Sequence, residues 1–158
     1  RTNAIAEFSY GDNFNYNEMS SYNRGLKGFL NALMMLITLG ILQLSLKTKL
    51  LYAVLKKIVL PKPGEGPSLH SMKNGFFKMK IIGHIDKLKI SSVIIEGDSD
   101  PGYSATAKML TESALSILLN KDKIPRTFGV LTPASALGLV LIDRLKNKGI
   151  SFKLDKKQ

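Results

Sequence analysis

Asp98-Ser99-Asp100-Pro101-Gly102-Tyr103-Ser104-Ala105-Thr106-Ala107-Lys108-Met109, taken with Gly129-Val130-Leu131-Thr132-Pro133-Ala134, decides the fold. Each stretch is a tight turn that opens a helix. Asp-Pro-Gly is a strong turn signal, and aspartate side chains stabilise turns. Ser104 follows as a helix cap, and Ala107, Leu110, Ala114, Ile117 and Leu118 then share one face of a helix running to about Leu119. In the second stretch Thr132 caps and Pro133 takes the first helical position, where its missing N–H costs nothing. Leu137, Leu141 and Leu145 form an i, i+4 stripe, joined by Ala134 and Ile142. Lys146 and Lys148 suit the negative end of the helix dipole, and Gly149 supplies a left-handed stop.

Upstream, Phe77, Met79, Ile81 and Ile85 alternate with Lys78, Lys80, Ile82 and His84, the period of a half-buried strand over 76–85. Asp86-Lys87 can turn the chain into an antiparallel partner over 89–97. Phe128–Leu131 reads as a short strand, and Ile150–Leu154 as a terminal strand before a frayed tail. Residues 4–10 alternate as a further strand, with Ala4, Ala6, Phe8 and Tyr10 on one face. A short helix fits Asn17–Arg24. The expected class is α+β: an antiparallel sheet packed by helices, with an apolar helical pair inserted near the N-terminal side.

That pair occupies 26–60. Residues 28–46 carry no charge, Lys47 and Lys49 interrupt, and 50–60 resume the apolar run. A spanning helix needs about 20 mainly apolar residues. Three readings stand: two core helices, a hairpin dipping into one leaflet or a lipid-droplet surface with lysines snorkelling to the headgroups, or a transmembrane helix. The lipid-contacting candidates are Phe29, Leu33, Met34, Leu36, Ile37, Ile41 and Leu42. Residues 61–75 are a Pro/Gly linker that no helix can cross. The remaining segments are 1–25, a lead-in strand and polar stretch, and 76–158, the sheet and two helices.

The chain has 158 residues and a formal net charge of +11, with 44% hydrophobic residues, so it is long and apolar enough for a sizeable core. Only Arg1, Arg24, Arg126 and Arg144 are arginines, and no zinc finger or aromatic RNA-binding motif occurs, which argues against a nucleic-acid partner. Without cysteine there is no disulfide scaffold and no thiol nucleophile. His70 and His84 lack metal-binding spacing. Gly64-x-Gly66 follows no strand and is not a dinucleotide fingerprint. Neither a GxSxG elbow nor a Walker lysine motif occurs. A chain opening on Arg1 reads as a fragment or a processed segment.

Glu96, Asp98 and Asp100 crowd a strand end, a set that suits a hard cation or, more simply, turn chemistry. Free N–H groups of Tyr103–Ala105 are expected to face an anionic group. The cleft candidates are therefore Asp98, Asp100, Gly102, Tyr103 and Thr132, with no catalytic constellation and no cofactor or metal site within the chain.

Gly102-Tyr103-Ser104-Ala105-Thr106, Gly129-Val130-Leu131-Thr132-Pro133, Arg144-Leu145-Lys146-Asn147-Lys148-Gly149 and the linker Pro63-Gly64-Glu65-Gly66-Pro67-Ser68 together resemble the C-terminal half of saccharopine dehydrogenase-like oxidoreductases. The resemblance implies a substrate-binding and dimerisation half of an NAD(P)-dependent oxidoreductase, not catalytic alone. NAD(P) would be bound mainly by an N-terminal Rossmann half outside this chain. It implies a homodimer as well, and it favours the lipid-associated reading of 26–60. The expected location is intracellular, at a membrane or lipid-droplet surface. The alternative is a membrane- or droplet-associated scaffold that has lost catalysis.

Overall fold

A computed structural model describes residues 1–62, 64–85 and 88–155. The chain divides into two compact units, Arg1–Phe14 with Pro67–Gln158, and Asn15–Gly66.

In the first unit, β1 (Phe77–Ile85), β2 (Leu88–Gly97) and β3 (Ile150–Asp155) form an antiparallel sheet in the order β1-β2-β3. The class is α+β, as the residue patterns require. The turn expected at Asp86-Lys87 lies outside the described residues, as do Lys156, Lys157 and Gln158 of the tail. Met79, Ile95 and Phe152 stand side by side across the three strands, as do Lys78, Glu96 and Ser151 on the opposite face. The polar face is laced by ion pairs from Lys78 (2.7 Å) and Lys153 (2.9 Å) to Glu96. The half-buried strand expected of β1 holds only at Phe77; Met79 and Ile81 are exposed because the helices cover the Gly97–Ile150 end of the sheet rather than its width.

That end is where the core lies. Ala105, Leu145 and Ile150 are buried there, and Leu137 is buried on the first half of α6. Gly97 admits the Phe77 ring so closely that a Cβ would overlap it. Helices α5 (Ser104–Leu119) and α6 (Pro133–Lys146) pack against each other, and α6 against β3. Gly138 breaks the α6 dihedrals at φ 55°, ψ −140°, which bends the helix.

Four expectations are corrected here. Residues 4–10 are not a strand: Thr2–Ile5 is a helical turn, α1. The Asn3 side chain accepts from Tyr10 N and donates to Gly11 O, both at 2.9 Å, closing the segment into a local loop. Asn17–Arg24 is not helical, and Phe128–Leu131 is irregular chain with no strand partner. The apolar stripe of α5 does not face inward. Ala107, Leu110, Ala114, Ile117 and Leu118 are all exposed, while Ala105, Glu112 and Ser116 are buried, and Ala134 of α6 is exposed as well. Small residues let α5 approach its neighbours closely. The ion pair from Arg144 Nε to Glu112 Oε2 (2.7 Å) then turns the polar face inward.

In the second unit, α2 (Leu26–Lys47) and α3 (Lys49–Ile58) form the apolar pair and contact each other across Thr48. Among the described residues, α2 is the one helix long and apolar enough to cross a membrane by length and composition. Phe29, Leu33, Met34, Leu36, Ile37, Ile41 and Leu42 are all exposed on it. Pro63 of the linker lies outside the described residues, and α4 (Leu69–Asn74), capped by Ser68, forms within the stretch read as linker.

Candidate functional site

The two turn-helix openings are closed by the chain's own groups. At α5, Asp100 takes the place expected of an anionic ligand. Its Oδ2 accepts from Tyr103 N (2.7 Å) and Ser104 N (3.4 Å), and its backbone oxygen accepts from Ala105 N (2.8 Å). The free N–H groups expected at Tyr103–Ala105 are therefore bonded to Asp100, and the N-cap position is Tyr103 rather than Ser104. The turn is pinned from outside by Asp100 N donating to Met72 O (3.2 Å) and by Gly75, where a Cβ would strike Asp100.

Asp98 accepts from Lys108 Nζ at 2.7 Å, which holds its carboxyl below the usual carboxylate range. Its backbone N donates to Gly149 O (3.2 Å). Gly102 lies against the Asp100 carboxylate, and Tyr103 is exposed. Among the described residues no group of three or more potential metal ligands comes together.

At α6, Thr132 forms a capping box with Ser135, and its hydroxyl also meets that of Thr2 at 2.7 Å. Arg1 Nε donates to Val130 O (2.9 Å), so α1 braces the loop that leads into α6. Asp98, Asp100, Gly102 and Tyr103 thus share one turn and Thr132 heads another helix. Among the described residues no hydrogen bond joins the two.

What the sequence left unnoticed is a cavity of about 740 Å³ lined by the end of α5, the loop 120–132 and the start of α6. Its lining is mainly apolar (Ile117, Ile124, Phe128, Leu131 and Leu137), with Lys121, Asp122 and Arg126 as its charged members. The size suits a small-molecule cleft. Phe128, exposed in an irregular loop, was the available signal, but its alternation with Val130 reads equally as a strand.

The described residues do not fit a dinucleotide. The sheet is antiparallel throughout, so there is no βαβ crossover among the described residues, and the N-termini of α5 and α6 beside it are already satisfied.

No family profile and no solved structure matches the chain. Curated proteins do. A Mycobacterium tuberculosis protein named as a trans-acting enoyl reductase is 33% identical over 161 residues, covering 96% of this chain and 37% of the relative. Trans-acting enoyl reductases of Mycobacterium ulcerans and Mycobacterium bovis are each 31% identical, covering 95% of this chain and 36% of their own length. The chain therefore spans a little over a third of the relatives it matches.

These names correct the resemblance to saccharopine dehydrogenase-like oxidoreductases. Gly-Tyr-x-Ala-Thr and Gly-Val-x-Thr-Pro are turn and cap chemistry, which a fold can share without sharing a substrate. The names likewise overturn the reading of a lipid-droplet or membrane scaffold without catalysis, since they describe reductases.

Proposed function

We propose that this chain is part of an enoyl reductase and contributes a substrate-side domain rather than the hydride-donor site. Similarity along 95–96% of the chain to proteins of that name carries the reading. Enoyl reduction adds a hydride to the carbon β to a carbonyl and a proton to the α carbon. The hydride commonly comes from a reduced nicotinamide, whose site we assign to the rest of the polypeptide; the antiparallel sheet here and the N-termini of α5 and α6, closed by Asp100 and by Thr132 with Ser135, support that assignment. The partners that go with this reading are a dinucleotide-binding remainder of the polypeptide and a second copy in a homodimer. Its location is intracellular, where reduced nicotinamide is available.

The test is nicotinamide oxidation by the full-length protein with a crotonyl thioester. Thioester-dependent loss of NADPH or NADH absorbance is expected, and the saturated thioester should give none. Equal rates with and without the double bond would overturn the reading.

A further inference from the structure

The cavity at the base of α5 and α6 combines apolar walls with unpaired cations. Phe128 is 90% exposed and Ile117 54%, so both offer apolar surface that the chain does not cover. The lining includes Lys121, Arg126 and Asp122, which gives it one net positive charge. Among the described residues neither cation has an ion-pair partner. The walls are also held in place. Asn120 anchors the loop by accepting from Lys123 N (2.9 Å) and Ile124 N (3.2 Å) through its backbone oxygen, and from Arg144 Nη1 (3.3 Å) through its side chain. Pro125 sits where Gly138 bends α6, 3.8 Å from the position a Cβ would take there. Gly129 turns the loop at φ 116°.

We propose that this cavity binds the acyl chain of an anionic acyl ligand, with Arg126 and Lys121 meeting the anionic oxygens at its head. The proposal rests on the enoyl-reductase reading and gives that reading its substrate class. Apolar walls suit a hydrocarbon chain, and a guanidinium fork matches the oxygens of a carboxylate or a phosphate. Because the loop is already braced, little ordering opposes binding.

The 158-residue chain is titrated with cis-parinaric acid, followed by its fluorescence, and the probe is then displaced with palmitate, palmitoyl-coenzyme A or free coenzyme A. Saturable binding is expected, displaced by both acyl compounds and not by free coenzyme A. Tighter displacement by palmitate makes the recognised head a carboxylate; tighter displacement by palmitoyl-coenzyme A makes it the phosphates. The K121A/R126A variant should weaken displacement at least tenfold, the loss of about one charge-assisted hydrogen bond. Ile117→Asp, a change at an exposed wall position, should abolish probe binding while circular dichroism stays unchanged. Leu110→Asp, on α5 but outside the cavity, should change neither.

Absence of saturable binding overturns the proposal, as does binding that survives both cavity variants or that Leu110→Asp removes equally. If these fail while the full-length protein still reduces the crotonyl thioester, the cavity assignment falls and the enoyl-reductase reading stands. If the cavity binds the probe and the full-length protein reduces nothing, the acyl site stands and the enoyl-reductase reading falls.

Discussion

Gly149 and Asp98 show how single residues lock the turn to the sheet. Gly149 sits at φ 85°, and a Cβ there would run into the Asp98 carboxylate that Lys108 holds. Gly149→Ala is expected to cost about 2 kcal/mol, from the left-handed backbone and the displaced ion pair, read as a lower urea midpoint with unchanged slope. Gly138, at φ 55° and ψ −140°, meets only Pro125 at van der Waals distance, but its backbone is one that L side chains rarely adopt, so Gly138→Ala should also cost about 2 kcal/mol. The larger effect belongs to Arg144. Glu112 is 4% exposed, and removing its partner leaves a buried carboxylate with, among the described residues, only Lys148 at 3.9 Å to answer it. Arg144→Ala should destabilise by about 3 kcal/mol, and the double variant E112L/R144M by less than Arg144→Ala alone, since both charges then leave together. Chemical denaturation of the three proteins measures this.

Among the elements, the sheet carries its electrostatics on one face. Glu96 on β2 accepts a hydrogen bond from Lys153 on β3 and another from Lys78 on β1, and these bring its carboxyl down from 4.5 to about 2. The folded value lies below the unfolded one. The contribution is therefore whole above about pH 4.5 and fades as pH falls toward 2. Melting temperature should fall across that window, and Glu96→Gln should flatten this part of the profile. Salt should weaken the effect, because both lysines are exposed. The extents of α5 and α6 were legible in their turn residues, and the Thr132 cap of α6 with them, whereas the Ser104 cap expected of α5 was not what formed. The packing of the two helices was not legible. Hydrophobic periodicity marks which face of α5 is apolar, but burial goes to the face with the small residues and the Glu112–Arg144 pair, and no helical period reports an ion pair between residues so far apart in the chain.

At the scale of the whole molecule, much apolar surface remains uncovered: Leu110, Ile117 and Leu118 on α5, Met79 and Ile81 on β1, and most of α2. Patches of this kind mark interaction surfaces. The isolated chain should therefore bind the dye ANS strongly, and Leu110→Ser should lower that binding without changing far-ultraviolet circular dichroism. An unchanged signal would place the dye elsewhere.

Local chemistry alone determined the turns at Asp100-Pro101-Gly102 and Thr132-Pro133, the extents of α5 and α6, the hairpin strands and the uncharged run of α2, because caps, prolines and alternation act within a few residues. Tertiary structure decided the rest: that Asp100 closes the α5 N-terminus instead of a ligand, that residues 4–10 curl around Asn3, that α5 turns its polar side inward, and that loop 120–132 frames a cavity. Each depends on groups brought together by packing, and the free energy of such contacts is set in three dimensions rather than along the chain.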